Sequence, residues 1–309
     1  MLRWITLTAV ATLSLGGCAA SPDGMGVTPE TPRALGDVVG GGSAVTESVD
    51  RAAVGLTSEE QYFLRQAQEV EIRRCMKAAG FDYRMNPVEE QVSTGAFLGP
   101  DSVEGGYPLV EANKRPAADP NKDALDGLSS REQDEWRKAF FGDGPTITIL
   151  LPGDESVSTN LEGCLATARE AIYGSVEAEM ASRHVRRQLA GSEASNALLE
   201  DREFARAAEA WAHCVADTGF PLSDGAWNGW DEAVRIYHTE SPAEAERLVK
   251  QLAPTDAACQ RSTGIDALRT RLLDERAQTL QKDHGINLGA AVAADREAIA
   301  RARSIVEGS

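Results

Sequence analysis

Cysteine is the residue type in this 309-residue chain whose spacing could carry chemistry, and four of its five copies fall into a repeated pattern. Cys75-Met-Lys-Ala-Ala-Gly80-Phe81 and Cys214-Val-Ala-Asp-Thr-Gly219-Phe220 are one phrase, Cys-x4-Gly-Phe, written twice. Each copy is followed by one further cysteine, Cys164 and Cys259 respectively. Such thiols can hold zinc, attack a carbonyl or pair with one another. Zinc sites take their ligands as Cys-x2–4-Cys pairs, which are missing here. A nucleophile needs a base within reach; His213 adjoins Cys214, but neighbours on a helix point in different directions. Pairing is the reading that remains.

Other reactive constellations do not form. The four histidines, His184, His213, His238 and His284, make no His-Glu-x-x-His. Gly-x-Ser-x-Gly, a phosphate loop and a dinucleotide fingerprint are all missing. Asp119-Pro-Asn121-Lys-Asp123 starts like a calcium loop, yet Ala124 stands where glycine is needed and Ser130 where the bidentate glutamate belongs. Glu240-Ser241 resembles the Glu-Ser pair of lytic transglycosylases, but the downstream motifs are lacking and Ser241 reads as a helix cap. No catalytic residue, metal site or cofactor is expected.

The fifth cysteine gives an address. Met1-Leu2-Arg3 carries one positive charge, and Trp4 to Leu15 is an apolar run of twelve residues, short of the roughly 20 that span a bilayer. Leu15-Gly16-Gly17-Cys18 closes it. This resembles the lipobox of bacterial lipoproteins, which implies a signal peptide over 1–17 and acylation (palmitate-type) of Cys18. The expected location is the extracytoplasmic face of the cell membrane, held by the lipid anchor. An even number of cysteines in an oxidising compartment predicts two disulfides. Three pairings are possible, and closing each repeat on itself favours Cys75–Cys164 with Cys214–Cys259. Loop entropy over such spans contributes about 4 to 4.6 kcal/mol each as an upper figure.

Composition narrows the partners. Forty-eight acidic residues against 31 basic give a net charge of −17 with no basic cluster. Nucleic acid and anionic surfaces would meet repulsion where counterion release should drive binding. Only six lysines occur, a codon effect of a GC-rich genome without functional content.

The elements that must position the cysteines are helical. Residues 18–56 are rich in Pro, Gly and small polar residues, which predicts a disordered tether with a span of roughly 30–35 Å. Order starts at Thr57-Ser58-Glu59-Glu60, a capping box. Leu64, Ala67, Ile72, Cys75 and Ala79 follow at helical spacing, with Gly80 fitting the left-handed position after a helix. Phe204, Ala208, Trp211, Cys214 and Val215 repeat the stripe. Cys164 opens a stretch running through Ile172 to Met180. Cys259, after Pro254-Thr255-Asp256, opens another running to Leu273. Between them, Ser129-Ser130-Arg131-Glu132 starts a helix, Thr146 to Leu151 is the one convincing strand, and Ser241-Pro242-Ala243-Glu244 is a clean helix start.

The fold class is therefore mainly α: two disulfide-braced helical repeats, unit one over 57–195 and unit two over 196–309, with at most a small β-hairpin. Gly163-Cys164-Leu-Ala-Thr-Ala168-Arg-Glu-Ala-Ile-Tyr173-Gly174, taken with the first Cys-Met-x3-Gly-Phe, is similar to exported lipoproteins of high-GC Gram-positive bacteria. That resemblance implies export and carries no activity; unit two keeps Cys259 and lacks the Tyr-Gly. The expected function is a membrane-anchored binding or scaffold protein for a protein or cationic peptide, with Trp227, Trp230 and Tyr237 as partner contacts. The alternative is a cell-envelope hydrolase or lytic transglycosylase with acidic catalytic residues. A deep groove holding a buried carboxylate would favour the enzyme.

Overall fold

The computed structural model describes residues 32–38, 55–88, 98–107, 119–152 and 155–309. Cys18 and the signal peptide lie outside them. In chain order the elements are β1 (Arg33–Ala34), α1 (Leu35–Val38), α2 (Ser58–Ala78), α3 (Pro100–Val103), α4 (Lys122–Asp126) and α5 (Ser130–Phe141). There follow β2 (Thr146–Leu150), β3 (Ser156–Asn160), α6 (Cys164–Tyr173), α7 (Val176–Ala190), α8 (Ser192–Glu200) and α9 (Arg202–Asp217). The chain continues with α10 (Gly229–Thr239), α11 (Pro242–Thr263), α12 (Ile265–His284) and α13 (Leu288–Glu307). The fold is mainly α, as the sequence predicts. No helix among the described residues is long and apolar enough to cross a membrane.

Local chemistry sets the helix ends. Both capping boxes form: Thr57 accepts from the Glu60 backbone while Glu60 accepts from the Thr57 N–H, and Ser129 does the same with Glu132. The repeated Gly-Phe endings work as read. Gly80 and Gly219 have φ of 90° and 81°, a conformation that a side chain would strain. At the first, the Phe81 N–H donates to the Met76 carbonyl at 2.9 Å and the Gly80 N–H to Lys77 at 3.1 Å, the two bonds of a Schellman ending. Ser241 departs from expectation: Pro242 does open α11, but the serine side chain makes no capping bond. Glu244 turns to Arg247 instead.

Both disulfides pair as the repeats suggest, Cys75–Cys164 across 89 residues and Cys214–Cys259 across 45. The first ties α2 to α6 and the second ties α9 to α11. The partition into two units, however, describes the disulfides better than the cores. One core gathers α8 to α11 and the start of α12, together with Val103 and Tyr107 from unit one's long connection. Around the other disulfide, α13 packs on α2, α6 and α7, and Ala298, Ile299 and Ala302 share a core with Leu64 and Ala67. Each unit thus lends a segment to the other.

Three further expectations are corrected. The helix read onward from Cys164 breaks at Gly174, and Ser175 caps the next one by accepting from the Ala178 N–H at 3.1 Å. Cys259 does not open a helix. It lies within α11, which passes through Pro254 and ends at Gly264. β2 and β3 form an antiparallel pair from Thr146 opposite Asn160 to Leu150 opposite Ser156. The strand outside that hairpin comes from the segment read as a disordered tether. Arg33 and Ala34 pair in parallel with Ile149 and Leu150, and Leu35, 2% exposed, enters the core containing Ile147 and Ile149. Gly36 lets this segment lie against the backbone of His284 and Gly285, where a Cβ would come within 2.3 Å of the His284 carbonyl oxygen. Isolated Leu35 buries enough apolar surface to dock a segment that composition alone describes as unfolded.

Candidate functional site

Charge stands in a concave setting at two places of contrasting character. The first is inside the core of α9 to α11. Asp256, on α11 two residues after the helix-internal Pro254, is 1% exposed. It accepts from the Trp211 indole N–H on α9 at 2.9 Å, from the Gln260 amide at 3.0 Å and from the Tyr107 hydroxyl. Burial pushes its carboxyl above the ordinary carboxylate range, outweighing those three bonds and the nearby Arg269 charge. The Tyr107 hydroxyl is likewise pushed far up, by burial and by the carboxylate it faces. Gly229 closes over the pair: a Cβ there would stand 2.0 Å from the Tyr107 oxygen and 2.3 Å from an Asp256 oxygen. The cavity beside them measures about 20 Å³, room for about one water. This is a buried carboxylate whose two oxygens both accept from donors of the protein itself.

Two other buried carboxylates are also satisfied. Glu232, 1% exposed, receives Arg235 at 2.5 Å and the Ser223 hydroxyl at 2.5 Å. Burial alone would raise its pKa, but the bonds from Arg235 and Ser223 win and hold it below the usual range. Asp295 receives both Ser182 and Arg186.

The expected contact aromatics sit against the same core as Asp256. Trp230 is buried, with its ring edge-on to Tyr107 at 6.4 Å. Trp227 is half-buried, edge-on to Phe204 at 6.2 Å. Tyr237 is half-buried against that core as well. Burial removes Trp230 from the set of surface contacts; Trp227 and Tyr237 each leave part of a ring exposed. The calcium-like run is spent on a turn: Asp119 accepts from the Asn121 backbone at 2.8 Å, and the Asn121 side chain clips Arg84, accepting from its N–H and donating to its carbonyl. Among the described residues no group of three or more His, Cys, Asp or Glu side chains is placed to hold a metal ion.

The second place is an open groove of about 620 Å³ between α2 and α7, lined by Arg65, Arg183, Arg186 and Arg187 together with Leu64 and Tyr173. Glu179, Arg183, Arg186, Arg187 and Ala190 reach it from one face of α7 at helical spacing, while Gln61, Leu64, Arg65 and Gln68 do so from α2. Its charges are unevenly matched. Arg186 pairs with Asp295 and Arg187 with Glu193. Arg169 and Arg183 share Glu179, each at 3.5 Å. Burial lowers the pKa of Arg65, and it does so for Arg169 with Arg183 adding to the effect. Behind the groove His184, 3% exposed, is held down to about 4 by burial and then by Arg183 and Arg187. Neither Asp256 nor this groove is a site the sequence singles out.

No protein-family model, curated protein or solved structure matches the chain.

Proposed function

We propose that this chain is an exported, lipid-anchored protein of the extracytoplasmic membrane face that works by binding or scaffolding. The observation that carries the reading is the pair of disulfides bracing a helical body, since such bonds persist in oxidising compartments. The lipobox at Cys18 is consistent with that setting. Arg33 lies fifteen positions beyond Cys18, so at most about 50 Å of extended chain separates the anchor from the docked strand. The net charge of −17 favours a cationic peptide or a protein with a basic face through steering. Replacing Cys18 with Ser should release the protein from membranes on fractionation; a variant as firmly bound as wild type would end the anchor reading. Cross-linked membranes should yield a partner whose recovery falls as salt is raised.

The enzyme reading has one observation in its favour, the buried carboxyl of Asp256 with its raised pKa. Against it stands the space available: a cavity of about 20 Å³ admits no sugar ring, and both carboxylate oxygens already accept from protein donors. Peptidoglycan turnover by the purified protein, lost in Asp256→Asn, would decide for the enzyme.

A further inference from the structure

The arginine groove runs against the charge of the whole molecule. The chain carries −17, yet three guanidiniums of α7 line the groove, Arg183, Arg186 and Arg187; Arg186 and Arg187 have Asp295 and Glu193 as partners, while Arg183 shares Glu179 with Arg169 of α6. Arg65 adds a further lining guanidinium from α2. Glu179 is the weak point. It faces two cations at 3.5 Å, beyond hydrogen-bond quality, and its Oε2 is buried with no hydrogen-bond partner. A guanidinium fork matches the oxygens of a carboxylate or phosphate, and Arg183 and Arg187 keep 38% and 49% of their side chains exposed to present it. Opposite them Leu56, Leu64 and Leu98 line the groove among Gln61, Arg65 and Gln68. A volume of about 620 Å³ falls within the range of small-molecule sites.

We infer that this groove binds a small anionic amphiphile, its carboxylate or phosphate head between Arg183 and Arg187 and its apolar chain along the leucines. The head completes the counter-charge that Glu179 supplies incompletely, and the chain packs along the half-buried Leu56 and Leu98. The site is separate from the membrane anchor and from any cationic partner on the acidic exterior, so its failure leaves those readings standing.

The test is calorimetric titration of the purified exported chain with four probes below their micelle concentrations: dodecyl phosphate, dodecanoate, inorganic phosphate and dodecyl maltoside. One dodecyl phosphate or dodecanoate should bind per chain, and whichever binds more tightly identifies the head. Inorganic phosphate and the neutral maltoside should bind at least about tenfold more weakly, a difference of one decade in Kd. The double variant Arg183→Gln, Arg187→Gln should weaken binding about tenfold or more while its helical circular dichroism stays unchanged. Glu179→Gln removes a competing carboxylate and should tighten binding, a gain that misfolding does not imitate. The inference is overturned if neither dodecyl anion binds, if the double variant binds as wild type does, or if maltoside or inorganic phosphate matches the dodecyl anions.

Discussion

Asp256 and the arginine groove are two concentrations of charge among the described residues, and their surroundings differ in every respect that separates structure from recognition. Asp256 is 1% exposed, meets donors from three parts of the chain and adjoins a cavity of about 20 Å³. The groove is some thirtyfold larger, at about 620 Å³, and its partly exposed Arg183 shares Glu179 with Arg169. A buried carboxylate bonded on both oxygens from within fixes the positions of the elements that reach it, here Tyr107, α9 and α11. A charge with a shared partner and an open side has capacity left for a ligand. A shifted pKa therefore does not by itself mark a reactive group; the empty volume beside it and its free lone pairs decide.

The largest expected effect breaks the first half of this contrast. Asp256→Ala leaves the Tyr107, Trp211 and Gln260 donors buried without an acceptor and should cost about 3–5 kcal/mol, read as a lower urea midpoint. Asp256→Asn keeps an acceptor and should cost much less. Gly229→Ala drives a Cβ into the same hub and should lose about 1–3 kcal/mol through overpacking. Equal midpoints for Asp256→Ala and wild type would mean that the hub holds nothing together.

A middle-sized effect depends on pH. Free histidine titrates near 6.5, whereas burial, with Arg183 and Arg187 adding, holds His184 down to about 4. Between those values the unfolded chain takes up a proton that the folded chain refuses. Stability from this group is thus full above about pH 6.5 and falls as the pH drops toward 4. His184→Gln should flatten that decline. Asp256 has the opposite sign: its raised pKa favours the folded state at low pH, and that contribution is lost as pH rises through the folded value. Urea midpoints across pH 4 to 7 should therefore decline more steeply toward acid in Asp256→Asn than in wild type.

How far the sequence reaches depends on whether a signal is local. The capping boxes at Thr57 and Ser129 and the Gly-Phe endings act within a turn or two, and the structure realises them as read. Cysteine pairing was legible because repetition supplied the long-range information that one copy lacks. Asp256 was hidden by its own neighbours. Pro254-Thr255-Asp256 reads as a helix start, since proline forfeits a backbone donor, yet packing of α11 against α9 and α10 carries the helix through. The docked β1 and α1 rest on parallel pairing with residues more than a hundred positions away, which composition does not reveal. The arginines of α7 look like a solvated face when read alone. What makes them a groove is α2 lying across from them, and the chain brings those helices together through α6 and α13.

The smallest effect on stability belongs to the groove, and it gives the most direct test. Arg183→Gln with Arg187→Gln removes two partly exposed pairs and should shift stability by only about 1 kcal/mol or less. Urea midpoint and dodecyl phosphate affinity should be measured together on wild type, Asp256→Asn and this double variant. The account predicts opposite losses: Asp256→Asn lowers the midpoint and leaves affinity within about twofold, while the arginine variant keeps the midpoint and loses about tenfold or more in affinity. An Asp256→Asn protein that keeps its stability but loses binding would contradict it.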